Sequence, residues 1–168
     1  MDDMLNVAHL VMICERIEGR KKLQKIVHIL QEAGHPFREE FDYFHFGPYS
    51  SALKREIDEL ILPSVGLVEE EPTHEEGQYK SYVYRSTAKL QGNLERLHLS
   101  LTPLWAEQAR KLNTMSASEL EAVSTILFLR RRGFIEERLE RRFKELKPHL
   151  ESGWELARDR AETYVNTH

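Results

Sequence analysis

The fold is decided by Gly19–Gly66, GRKKLQKIVHILQEAGHPFREEFDYFHFGPYSSALKREIDELILPSVG. Leu23, Ile26, Val27 and Leu30 recur at i, i+3, i+4 and i+7, which predicts an amphipathic helix over Arg20 to Ala33. Gly34 and Pro36 stop it. Phe37 to Phe46, FREEFDYFHF, is the most aromatic part of the chain. It predicts an extended segment or a single strand, with Phe41, Tyr43 and His45 on one face and burial between helices. Gly47-Pro48 predicts a turn, and Ser50 or Ser51 a helix cap. Leu53, Ile57, Leu60 and Ile61 then face inward on a second helix, Ala52 to Leu62.

Working outward, Val7, Leu10, Cys14 and Ile17 predict a preceding helix over Asp3 to Glu18. On the other side, Leu67 to Arg85 reads as a hairpin: LVEEE, a PTHEEGQ turn, then YKSYVYR. Helices, a strand, a helix and a hairpin in that order are the layout of a winged helix. From Ser86 the periodicity is helical to the end, with a capping box at Ser116-Ala117-Ser118-Glu119. The fold class expected is therefore mainly α with a small β-hairpin. A winged-helix-like part over 1–113 is followed by a C-terminal helical bundle over 114–168, with the seam at Asn113 to Ser116.

Composition narrows the classes. Of 168 residues, 40% are hydrophobic and 31% charged, the balance of a globular chain rather than a disordered one. Cys14 is the only cysteine, so neither an intrachain disulfide nor a thiolate metal cluster can form. No apolar run is long enough to span a membrane, and the start lacks the features of a secretory signal, so a cytoplasmic protein is expected. The net charge of −4 provides no global attraction to nucleic acid.

Two clusters are candidate contact surfaces. Arg20, Lys21, Lys22 and Lys25 crowd the start of a helix, where the macrodipole disfavours cations. An anion or an acidic partner would offset that, aided by Tyr49 and Ser50 beside the Gly47-Pro48 turn. The second surface pairs acids Glu69, Glu70 and Glu71 of the hairpin with bases Arg130, Arg131 and Arg132 of the C-terminal half. Glu137–Arg141 and Glu140–Lys144 are helix pairs that account for part of the basic cluster as a solvated face. Acidic and basic surfaces on opposite halves also fit self-association into a homo-oligomer.

DNA is the second reading, docking through the basic helix start. Gly19 to Leu62 carries seven bases against seven acids, and Leu67 to Gly77 carries five acids with no Lys or Arg. Phosphates repel such a surface, so DNA is disfavoured. An enzyme using Glu39, Glu40, Asp42 and His45 is the third reading. The eight histidines show no zinc-ligand spacing, and no phosphate loop, dinucleotide fingerprint or nucleophile elbow occurs, so no metal, cofactor or catalytic residue is assigned. The first reading is a non-enzymatic binding or regulatory protein acting through contacts with a protein partner.

GRKKLQKIVHILQ, FHFGPYSSALKREIDEL, the tyrosine-bearing hairpin and the C-terminal SASELEAVSTILFLRRRGF…ELKPHL together resemble the YwgA-like family of bacterial proteins. The resemblance covers most of the chain and implies a cytosolic helical protein, with no reaction attached. A shorter likeness to the Panacea domain rests on Lys22-Leu23-Gln24-Lys25, the Gly47-Pro48 turn and the leucine-bearing helix after it. It implies an antitoxin-like or adaptor role.

Overall fold

Helical periodicity became helix nearly everywhere it was strong. The computed structural model describes residues 3–73, 81–99 and 102–165. Among them are eight α-helices and five short strands: α1 (Asp3–Cys14), β1 (Ile17–Glu18), α2 (Arg20–Glu32), β2 (Asp42–Phe44), β3 (Gly47–Tyr49), α3 (Ser51–Ile61), β4 (Val68–Pro72), β5 (Tyr82–Ser86), α4 (Ala88–Arg96), α5 (Ala106–Asn113), α6 (Ala117–Arg131), α7 (Glu136–Leu146) and α8 (Trp154–Glu162). The fold is mainly α with a small sheet. β5 lies between β1 and β4, antiparallel to both, and β2 pairs with β3 in a separate ribbon. The turn joining β4 to β5, with Glu75 and Glu76, lies outside the described residues.

Both predicted caps form. Ser50 Oγ accepts from the Leu53 amide and Ser116 Oγ from the Glu119 amide, each at 3.1 Å, satisfying donors that a helix start leaves open. Four local expectations are corrected. α1 ends at Cys14, not Glu18: Glu15 takes a positive φ of 65°, and Ile17 pairs with Tyr84 as strand. The aromatic segment is a hairpin rather than a single strand. His45-Phe46 is its turn and Gly47-Pro48 lies in its second strand, with Phe44 opposite Gly47. Its aromatics are only partly buried, since Phe44 and Phe46 are exposed. Past Ser86 the described chain is not helical throughout: α5 starts only at Ala106, and a 3-10 segment over Pro148–Gly153 separates α7 from α8.

α6 is the central element. It is buried from Leu120 to Leu127 and packs on α2, α7, α8 and β3. A helix surrounded in this way buries nearly every side, and here Leu120, Val123, Ile126 and Leu127 supply apolar surface while Glu121, Ser124 and Thr125 are buried polar groups. One apolar cluster runs from Val7 in α1 through Leu30 in α2 and Ile126 in α6 to Ala161 in α8. The segments before and after Asn113 therefore share a core.

Gly47 marks the closest approach of β3 to α6. Its φ is +88°, and a Cβ there would stand 3.0 Å from Thr125 Oγ1. Gly92, on α4, has open space around it. Gly47→Ala should destabilise by about 2 kcal/mol through backbone strain and crowding, whereas Gly92→Ala should be neutral or stabilise by up to about 1 kcal/mol. Urea denaturation of the two variants checks this contrast.

Candidate functional site

α2 buries two faces, not one. Besides its apolar stripe, Gln24, Lys25, His28 and Gln31 form a second stripe, and the first three are almost fully buried. This polar stripe holds the hairpin segment. The Gln24 amide exchanges two 2.9 Å hydrogen bonds with the Ser50 backbone. The Gln31 amide does the same with Glu39, at 2.7 and 2.8 Å. Between them Lys25 Nζ donates to the Pro48 carbonyl.

The cations at the start of α2 all have partners within the chain. Arg20 reaches Asp58 of α3, Glu70 of β4 and the Tyr84 hydroxyl, which itself donates to Glu70. Lys21 pairs with Glu121 at 3.4 Å and lies over the Phe46 ring. Lys22 donates to the Asn113 carbonyl at 2.6 Å. These carboxylates and carbonyls offset the unfavourable placement of bases at a helix start. The four groups fan out to different partners. Tyr49 packs edge-on against Phe44, and the Ser50 hydroxyl serves as the α3 cap.

The second candidate surface is also partly engaged. Glu69 is exposed, Glu70 belongs to the Arg20 cluster, and Glu71 pairs with Arg85 across the sheet. Arg130 pairs with Glu162, Arg131 stands 3.6 Å from Glu32, and Arg132 lies over the Phe128 ring.

Deeper in, Glu121 is buried beside Lys147, which is buried as well. Lys147 Nζ donates to Glu121 Oε1 at 3.2 Å and to the His45 carbonyl at 3.0 Å. Lys25 belongs to the same neighbourhood. Burial lowers its pKa to about 8, with Lys21 and Lys147 adding to the effect and Glu121 opposing it.

His28 forms the inner wall of a cavity of about 410 Å³ between α2, the segment after it and α6. Its Nδ1 lies 2.6 Å from Ser124 Oγ and its Nε2 3.7 Å from Glu32. Burial, with help from Lys25 and Arg131, pushes its pKa down to about 3, so the imidazole is neutral. Burial raises the Glu32 carboxyl while Arg131 opposes the rise. Glu39 lines the cavity too, and its Oε1 is buried with no hydrogen-bond partner among the described residues. Of the residues in the enzyme reading, only Glu39 lies here. Glu40, Asp42 and His45 are exposed. Among the described residues no group of acids, histidines and cysteine is placed to hold a metal. Cys14 donates to the Ala109 carbonyl, and burial raises its thiol to about 12, so it is not a nucleophile at neutral pH.

Sequence reasoning missed His28, Glu32, Glu121, Ser124 and Lys147. One signal was available: Gln24, His28 and Gln31 recur at i, i+4 and i+7, a polar stripe beside an apolar one.

No family model matches the chain. Over 112 residues it is 36% identical to a protein of Bacillus subtilis (strain 168) named Uncharacterized protein YwgA. The chain is YwgA-like. The resemblance read from its motifs is thus borne out, whereas these comparisons do not show the likeness to the Panacea domain. The match takes in 67% of this chain and 65% of the relative's length. No described helix is long and apolar enough to cross a membrane.

The neutral imidazole has a measurable consequence. The unfolded chain binds a proton at His28 below its ordinary pKa of 6.5, and the folded chain does so only near 3. Stability from this group is therefore complete above 6.5 and is lost as pH falls through that window, by up to about 1.4 kcal/mol per pH unit. Urea unfolding of His28→Gln between pH 7 and 5 (roughly the upper half of that window) should show a shallower loss than the parent chain. Parallel slopes would mean that His28 is not buried neutral.

Proposed function

We propose that this chain is a non-enzymatic binding protein that engages a protein partner through the β2–β3 hairpin. One observation carries the reading: Phe44, next to the hairpin turn, and Phe46, within it, stand 49% and 64% exposed. The ribbon itself is fixed from below by Gln24, Lys25 and Lys147. Exposed aromatics on a rigid mount lose little entropy on docking and are the side chains most enriched at protein interfaces. Next to them, Tyr43, His45 and Leu146 help line an open groove of about 430 Å³. An adaptor-like role is consistent with such a surface.

We also read the N-terminal part as winged-helix-like. Support comes from the element order α1–β1–α2–β2–β3–α3–β4–β5, in which the β2–β3 ribbon is an addition between α2 and α3, and from a sheet with β5 between β1 and β4. A DNA-reading role is less favoured. Arg20, Lys21, Lys22 and Lys25 are tied to groups of the same chain, and on α3 Lys54 pairs with Asp58 at 3.2 Å. The strand that would form the near edge of a wing carries Glu69, Glu70 and Glu71.

The test uses Phe44→Ser with Phe46→Ser, both at exposed positions where substitution should change stability by no more than about 1 kcal/mol in total. Tagged parent chain should recover a stoichiometric partner from lysate of its native cells, and the double variant should weaken that complex by at least about 100-fold. Glu69→Lys should retain it. Full retention by the double variant would overturn the hairpin reading, as would release by Glu69→Lys alone. Salt-sensitive retardation of duplex DNA would instead favour the regulator reading.

A further inference from the structure

The cavity at His28 separates charge by depth. Its carboxylates lie inside: Glu39 is 7% exposed and the Glu32 side chain 12%. Its guanidiniums lie outside, with the Arg131 side chain 74% exposed and Arg132 exposed as well. The imidazole between them is neutral, and the Gln31 amide is already bonded to the Glu39 backbone. Arg131 stands 3.6 Å from Glu32, and Arg132 covers the Phe128 ring. Among the described residues Glu39 has no counter-charge, and its Oε1 has no hydrogen-bond partner. A buried carboxylate in that condition is costly to the fold, and a cationic donor placed against it removes the cost.

A bare cation would have to pass two rim guanidiniums, and a bare anion would meet Glu39 inside. A molecule carrying both charges avoids both conflicts. Phe41 and Phe128 offer apolar wall for whatever joins its ends. At about 410 Å³ the cavity falls in the range of small-ligand sites. We propose that it binds a free zwitterion of amino-acid size, with its ammonium directed inward to Glu39 and its carboxylate outward to Arg131 and Arg132. The site stands apart from the hairpin contact, since Phe44 and Phe46 do not line it.

Three probes of one length test this: γ-aminobutyrate, n-butylammonium and butyrate, titrated at matched ionic strength into the isotope-labelled chain and followed by backbone-amide NMR. The zwitterion should give saturable shifts at Glu39, Phe41 and Phe128 and bind at least about tenfold more tightly than either singly charged analogue. Glu39→Gln should lower γ-aminobutyrate affinity to that of butyrate. Arg131→Gln with Arg132→Gln should lower it to that of n-butylammonium. The Phe44→Ser, Phe46→Ser chain should bind like the parent, which separates this site from partner docking. The proposal is overturned if γ-aminobutyrate produces no saturable shift, if it binds no better than butyrate, or if Glu39→Gln keeps the parent affinity. The three-probe comparison on the unmodified chain decides the matter even if a variant fails to fold.

Discussion

One buried carboxylate holds the two halves of this molecule in register. Glu121, on the central helix α6, lies among Lys147, Lys21 and His149, at 3.2, 3.4 and 3.8 Å. Lys147 spans from it to the His45 carbonyl, and Lys25 reaches the neighbouring Pro48 carbonyl from α2. A buried ion pair need not exceed a well-packed apolar alternative in stability. Its effect here is positional. The carboxylate and the two hairpin carbonyls each meet a charged donor only when α2, the β2–β3 ribbon and the segment after α7 are all in place. Gly47 completes the fit, because its positive φ favours glycine and a Cβ there would crowd Thr125 Oγ1 at 3.0 Å.

That constraint explains what could be read in the sequence. The helices follow from short-range signals: the Leu23–Leu30 stripe, the Ser50 and Ser116 caps, and the apolar run on α6. The acidic β4–β5 arm follows from alternation and composition. The polar face of α2 did not, because its partners are far away in the chain. Gln24 and Ser50 are 26 residues apart, His28 and Ser124 are 96, and Lys147 and His45 are 102. Lysine and glutamine on a helix ordinarily face water, and nothing within one turn of Lys25 reveals that a carbonyl and a carboxylate await it. The β2–β3 ribbon was hidden for a related reason. Proline is rare in paired strands, yet Pro48 sits in a ribbon whose second side is covered by lysine and glutamine donors from α2 rather than by another strand.

The same donors account for the surface. Bases that looked free to meet a phosphate or an acidic partner are held by Asp58, Glu70, Glu121 and backbone carbonyls. Glu70 likewise anchors the sheet to α2 through Arg20 and Tyr84. The ribbon that carries the exposed Phe44 and Phe46, and the cavity lined by His28 and Gln31, are both positioned by the polar face of α2. Fold and candidate sites therefore share one set of side chains.

A double-mutant cycle on Glu121→Gln and Lys147→Met, read by urea denaturation, tests that arrangement most directly. Glu121→Gln leaves Lys147 buried without its carboxylate, and Lys147→Met leaves the His45 carbonyl without its donor and Glu121 without its most buried counter-charge, so each should cost about 3 kcal/mol. The double variant should cost less than the sum, by a coupling of about 2 kcal/mol or more. Additivity within about 0.5 kcal/mol would contradict the claim that this pair holds the hairpin, α2 and the C-terminal helices together.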